Sequence, residues 1–327
     1  MIEKKLLITG ANGFVGSHLA KLALDNGYKV FAAVRKTSDL SALEGLAVTL
    51  VYPDYRNINS ITALLDQAGI THIAHVAGKT KGRNLDEYME ANATVTVSLA
   101  RAALECRQVV EKFVFVSSMA VMGPAPFGKE LTELDAPQPV TLYGKSKWQA
   151  EQYLADYGSL PLITLRPTAV YGPRDKDMRL VIDMVAKGWE LYLGKGPQQL
   201  SFIYVKDLCQ AILLALASKS NQQTYILSDG VNYSRYDFAN QAKKVLKRKT
   251  LKLHLPVGVI SFALGVLEKV WPSRTSILNR DKLKELTGNW ACSIQKARKE
   301  LGYSPVYPLS TGMEKTIAWN QAPEKAH

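Results

Sequence analysis

Three glycines at three-residue spacing, Gly10, Gly13 and Gly16, stand between an apolar run, Leu6-Leu7-Ile8-Thr9, and a helical pattern that begins at Phe14. Each has a physical task. Gly10 permits a sharp turn off a strand. Gly13 lets the backbone approach a phosphate with no Cβ in the way, and Gly16 lets the next helix pack closely on the sheet. The start of that helix offers free N–H groups to an anion. A strand, this turn and a helix in succession predict a dinucleotide-binding crossover, with Gly10, Asn12, Gly13, Phe14, Val15 and Gly16 around the pyrophosphate.

The rest of the first half repeats the rhythm. Apolar runs at Val30–Val34, Val48–Tyr52, His72–Val76, Phe113–Ser117 and Leu162–Leu165 alternate with helical patterns at Phe14–Asn26, Ile58–Ala68, Leu85–Arg107 and Leu142–Tyr157. Continuous apolar strands separated by helices predict an α/β fold of the Rossmann type, a doubly wound parallel sheet. After Arg166-Pro167 the rhythm loosens. The expected organisation is a cofactor domain over residues 1–172, to which 201–228 return, and a smaller, mostly helical substrate lobe from 173–200 and 229–327. Within that lobe Pro256–Trp271 reads as an apolar helix, too short for a bilayer that needs about 20 residues. It would be buried in the lobe, wall an apolar substrate or touch a membrane surface.

Basic residues outnumber acidic ones, 41 to 29, for a formal charge of +12. Such a field attracts phosphates. No helix-turn-helix, zinc-finger or RNA-binding signature is present, so a dinucleotide is the expected anionic partner and nucleic acid is not. Cys106, Cys209 and Cys292 are far apart and match no metal or disulfide spacing, so no metal is expected. The chain runs from Met1 straight into a strand without a secretory segment, which suggests the cytoplasm. Arg35 follows the second strand with Lys36, Thr37 and Ser38 behind it. An arginine there pairs with a 2′-phosphate, whereas an acidic residue would take a ribose hydroxyl. NADP(H) is therefore expected over NAD(H), the alternative being that Arg35 is an ordinary surface cation.

Tyr143 and Lys147 lie four residues apart at the start of a helical pattern, hence on one face. A nearby ammonium would lower a phenol pKa from about 10 and let it exchange a proton with a substrate hydroxyl. Ser117 and Ser118 end the Phe113 strand, on the edge where open α/β sheets bind ligands, and Ser118 could orient the reacting oxygen.

These residues, with Pro53-Asp54, His75-Val76-Ala77-Gly78, Asn92, Arg166-Pro167-Thr168-Ala169-Val170-Tyr171-Gly172-Pro173 and Phe202–Asp207, resemble the extended short-chain dehydrogenase/reductase family over nearly the whole chain. That family holds NAD-dependent sugar epimerases and dehydratases, dihydroflavonol reductases and 3β-hydroxysteroid dehydrogenases. The resemblance implies that Asp54 and Tyr55 reach the adenine, and that Val76, Ala77 and Gly78 line its ribose. It also implies that Lys147 bonds the nicotinamide ribose, Ser118 is the catalytic hydroxyl, Asn92 lies near the active site, and Pro167 and Thr168 flank the nicotinamide amide. Ser117 counts among the cofactor-side residues, and dimers would form through the Leu85–Arg107 and Leu142–Tyr157 helices.

Departures from the pattern narrow the chemistry. Met119 and Ala120 stand where sugar dehydratases carry an acidic pair, which argues against elimination. Leu200-Ser201 stand where nucleotide-sugar enzymes place an arginine, and Met122 replaces a common tyrosine. With Arg35 and the apolar Pro256 segment, these favour the reductase and hydroxysteroid-dehydrogenase branch, which the Trp290–Tyr303 segment also resembles. The expectation is an NADP(H)-dependent oxidoreductase interconverting a secondary alcohol and a ketone on a moderately apolar small molecule. A nucleotide-sugar epimerase with tightly held NAD is the alternative, and a non-catalytic dinucleotide-binding protein a third.

Overall fold

The computed structural model describes residues 3–262 and 280–321. Its strands are β1 (Lys5–Thr9), β2 (Lys29–Ala33), β3 (Thr49–Val51), β4 (His72–His75), β5 (Lys112–Val116), β6 (Leu162–Pro167), β7 (Ala169–Tyr171), β8 (Trp189–Leu193), β9 (Gln199–Tyr204), β10 (Gln223–Leu227), β11 (Asn232–Ser234) and β12 (Leu251–Leu255). Seven of them form one sheet in the order β10-β6-β5-β4-β1-β2-β3, and every pairing is parallel. The chain winds outward from β1 in both directions, so the order reverses between β1 and β4. That reversal leaves a crevice at the carboxyl ends of the strands.

Alternation along β1 shows why the sheet is buried on both faces. Leu6 and Ile8 enter the core beneath α1 (Phe14–Asp25), together with Leu208 and Ile212 of α7 (Val205–Ala217). Leu7 points the other way, into a core shared with Ile61 and Leu65 of α2 (Ile58–Ala68) and Leu99 of α4 (Val95–Glu105). Period-two burial on both sides demands an almost wholly apolar strand.

The segment read as one helix from Leu85 is in fact α3 (Leu85–Met89), a π turn (Glu90–Thr94) and α4. Helix α5 (Leu142–Ala155) carries the Tyr143/Lys147 pair. Beyond β6, the chain builds a three-stranded sheet ordered β11-β9-β7 and a parallel pair of β8 with β12, joined to α6 (Asp177–Ala186) and α8 (Asp237–Leu246). Tyr171, Phe202 and Phe238 meet edge-on or tilted in the core of this lobe. Within this lobe, expected to be mostly helical, Leu251-Lys-Leu-His-Leu alternates with period two and forms strand β12 beside the helices. Residues 257–262 of the apolar Pro256–Trp271 segment are helical, and 263–271 lie outside the described residues. Among the described residues no helix is long and apolar enough to cross a membrane.

Candidate active site

Sheet order gathers residues that sequence leaves scattered. Asp54, Arg35, the Gly10–Gly16 turn, Val76–Gly78, Ser117-Ser118 and Pro167-Thr168 follow β3, β2, β1, β4, β5 and β6, which are neighbours in that order. All lie along one edge, at the strand carboxyl ends.

The glycine turn is as tight as its spacing implies. Gly10 adopts φ +65°, and a Cβ on it would stand 2.9 Å from Ala77 Cα. A Cβ on Gly16 would fall 2.1 Å from the Gly10 carbonyl oxygen, so α1 reaches the sheet only because that position is bare. Gly13 caps α1 without any side-chain hydrogen bond, and no acidic residue sits in the first turn. The helix end is thus left open to an anion. Asn12 donates from Nδ2 to the Asp39 carbonyl at 3.1 Å, tying the turn to the loop after β2. Phe14 and Val15 pack against the core below. Arg35 is exposed in a short turn closed by Ser38 N–H donating to its carbonyl.

Behind the loop after β4 runs a buried chain of hydrogen bonds. Ala77 N–H donates to Thr9 Oγ1 at 3.1 Å, Thr9 Oγ1 lies 2.7 Å from His75 Nδ1, and His75 Nε2 lies 2.8 Å from Thr96 Oγ1. Thr96 Oγ1 donates to the Asn92 carbonyl at 2.6 Å, which sits in the π turn. Asn92, expected near the cofactor, is fully buried, and its amide works inward. Its Oδ1 accepts from Lys79 N–H at 2.7 Å, and its Nδ2 donates to the Lys79 carbonyl and to Ser146 Oγ. It therefore shapes the wall of the site and joins α5 to the loop after β4.

Ser118 and Tyr143 meet in front of β5. Ser118 Oγ caps the short turn Met119–Val121 by accepting from Ala120 N–H, and Thr141 Oγ1 caps α5 by accepting from Gly144 N–H. A Cβ on Gly144 would stand 2.5 Å from the Ala120 carbonyl oxygen, so α5 and that turn touch backbone to backbone. Burial drives the Tyr143 phenol up to about 12, a hydrogen bond with the Ser118 hydroxyl opposes this, and the Glu285 carboxylate reinforces it.

Lys147 is buried on α5, one turn beyond Tyr143. Its Nζ donates to the Val116 carbonyl at 2.9 Å and lies 4.7 Å over the Phe115 ring, and burial brings it down to about 8. A side chain on Gly78 would come within 3.1 Å of the ammonium, which places Lys147 beside the loop expected to line a ribose.

Ser117 points away from the crevice. Its hydroxyl donates to Glu151 Oε1 at 2.5 Å, and Glu151 takes a paired contact from Arg166, Nε at 3.1 Å and Nη2 at 2.5 Å. Arg166 Nη1 also reaches Met122 Sδ. Sequence reasoning passed over Glu151, although its spacing of four from Lys147 puts it on the same helical face. It equally passed over Glu285, which reaches Tyr143 from a helix 142 positions later, Arg280–Thr287, with no local signal to mark it. The ring of Tyr55, partly buried, packs against the core under α2, and burial raises its phenol well above the ordinary value. Asp54 is exposed, and its Oδ1 accepts from Arg56 N–H. Thr168 Oγ1, just after β6 beside Pro167, is buried without a hydrogen-bond partner among the described residues.

Open N–H groups at α1, a backbone cradle that tolerates no Cβ, and the buried Thr168 hydroxyl together fit a dinucleotide. Residues 6–228 match the sequence profile of the NAD dependent epimerase/dehydratase family. The chain belongs to this family. Relatives within it include the sterol-4-alpha-carboxylate 3-dehydrogenase (decarboxylating) of Dictyostelium discoideum, 26% identical with 95% of this chain and 99% of that protein covered. The UDP-glucose 4-epimerase of Vibrio cholerae is 29% identical, covering 96% and 95%. Among family structures, the UDP-glucose 4-epimerase of Thermotoga maritima superposes with a TM-score of 0.81 at 19% identity, covering 97% of this chain and 98% of that one. Sequence relatives thus span dehydrogenases and epimerases, and the chain is an enzyme of this NAD-dependent class.

Proposed function

We propose that the protein is an NADP(H)-dependent oxidoreductase that interconverts a secondary alcohol and a ketone on a moderately apolar small molecule. The observation that carries this reading is the Tyr143 phenol, desolvated and paired with Ser118 at the mouth of the crevice. Gly10–Gly16 and the start of α1 would hold the pyrophosphate, Lys147 and Gly78 the ribose beside the reacting ring, and Thr168 its amide. Bound there, a nicotinamide dinucleotide supplies the two-electron donor or acceptor.

The chain's own residues handle the proton. A phenol held at about 12 is protonated throughout the neutral range, so Tyr143 is set to donate to an oxygen that gains negative charge as a ketone is reduced. Ser118 shares that oxygen and fixes its distance from the phenol. Lys147 keeps most of its charge at neutral pH even at about 8, and that charge steadies whatever negative charge develops on Tyr143. Alcohol oxidation runs the same path backward and gains with rising pH.

The exposed Arg35 side chain just after β2 supports NADP(H). The dehydrogenase reading over the epimerase rests on the region that should hold a nucleotide diphosphate. Ser201 is buried and donates to Asn232 Oδ1 at 2.6 Å, so this position offers a sugar nucleotide neither charge nor a free hydroxyl. Replacement Tyr143→Phe tests the proposal. Ketone reduction should drop about 10²–10⁴-fold, the range for a lost general acid, while nicotinamide fluorescence titration shows unchanged cofactor binding. Full turnover in Tyr143→Phe would overturn it, and stoichiometric NAD retained through purification would restore the epimerase.

A further inference from the structure

The parallel pair β8/β12 is inside out. Its register matches Trp189 with Leu251, Leu191 with Leu253 and Leu193 with Leu255, and partners in a parallel ladder point to the same side. The opposite side carries Glu190, Tyr192, Lys252 and His254; it packs against the protein through Glu190, Tyr192 and His254, while Lys252 is exposed with its ammonium 4.9 Å over the Tyr236 ring. Glu190 is 2% exposed and pairs with Lys243 of α8 at 2.8 Å, while Tyr192 donates to Glu190 and stacks on His254. The wholly apolar side faces outward: Trp189, Leu191, Leu251, Leu253 and Leu255 are 37–57% exposed. A sheet with one wet face ordinarily buries its apolar side. Immediately after β12 the helical residues Val259 and Phe262, three apart, are 65% and 73% exposed.

Cations frame this face. Lys187 precedes β8 and Lys195 follows it, and Lys247, Arg248 and Lys249 precede β12, all exposed. Across 187–195 and 247–262 the acidic side chain is Glu190, buried and neutralised. We propose that this face docks the protein on an anionic lipid surface. The tryptophan and leucines enter the headgroup boundary, and the framing cations meet lipid phosphates. An apolar centre with a basic rim is the pattern of interfacial binding, and contiguous exposed apolar surface on a folded chain marks a partner site. A second copy fits poorly, because it would set one basic rim against another. This inference does not depend on the reaction proposed above.

Flotation of the purified full chain tests it, using phosphatidylcholine vesicles with and without phosphatidylglycerol. The chain should float only with the anionic vesicles and be released by high salt. The double replacement Leu191→Ser with Leu253→Ser should weaken that binding about tenfold or more. Independently, Lys187→Glu with Lys195→Glu and Lys249→Glu should do the same, so a folding defect in either variant leaves the other as a test. Unchanged thermal unfolding and NADPH binding would identify variants that are intact. Three outcomes overturn the proposal: no flotation, flotation indifferent to both sets of replacements, or a wild-type dimer in sedimentation that the leucine replacements dissociate.

Discussion

His75 shows how much one side chain settles when it is fully buried. Thr96 gives its proton to the Asn92 carbonyl, so it must accept from His75 Nε2–H. Nδ1 is then bare and accepts from Thr9, which in turn accepts from Ala77 N–H. Every donor and acceptor in the chain is used once in a single direction, which only the neutral Nε2–H tautomer permits. Burial, with the Lys147 charge adding to it, holds His75 down to about 3. The unfolded chain therefore binds a proton near pH 6.5 that the folded chain refuses. Stability from this residue is fully present above about 6.5 and is lost as pH falls toward about 3, by about 1.4 kcal/mol per pH unit. Urea midpoints measured from pH 7 to pH 5 should fall more steeply in the wild type than in His75→Gln. Equal slopes would show that the ring does not resist protonation. The sequence marks His75 only within a strand run and a resemblance, because partners 66 and 21 positions distant leave no trace in local pattern.

At the scale of elements, the site depends on how α5 is pinned against β5 and β6. Thr141 starts the helix, Gly144 lets it touch the turn after Ser118, and Glu151 one turn beyond Lys147 locks it to Arg166 of β6 and to Ser117 just after β5. Both ionised groups are nearly sealed, at 7% and 6% side-chain exposure. Such a pair adds little net stability when formed but costs about 3–5 kcal/mol when one partner is removed, since the other charge stays buried and unpaired. Glu151→Gln should therefore lower urea stability by roughly that amount, and Glu151→Gln combined with Arg166→Met should lose far less than the two single losses summed. An additive double mutant would mean the charges act separately. Element by element, the sequence was legible where one physical rule decides: apolar runs marked β1, β2, β4, β5 and β6, the glycine turn marked the start of α1, and helical periodicity marked α5. It was not legible at Glu90–Thr94, since a π turn uses the same composition as the helix around it. Nor was β12 recognised, because Leu251–Leu255 turns its apolar alternation outward and so lacks the buried context that usually accompanies a strand.

Over the whole molecule, the candidate site is an edge assembled by strand order, and its cofactor end is far more legible than its substrate end. The glycine turn, Arg35 and Ser118/Tyr143 are tied to strand ends, so recognising strands places them. Glu285 and the β8/β12 face arrive from the late chain through tertiary packing that no spacing announces. A cofactor that bridges this edge should stabilise the folded chain as a unit, by RT ln(1 + [L]/Kd), about 2.7 kcal/mol at a hundredfold excess over Kd. For a chain of 327 residues this corresponds to a rise in Tm of about 4 °C. If Arg35 meets a 2′-phosphate, NADPH should give that rise at lower concentration than NADH. Arg35→Asp should then reverse the order, because the carboxylate repels a phosphate and accepts from a ribose hydroxyl. Thermal unfolding of wild type and variant across both titrations reads the two effects separately: a shift with either cofactor measures the cradle, and the exchange of preference measures Arg35. NADH superior in the wild type and unaffected by Arg35→Asp would assign the cation to the surface and the enzyme to NAD.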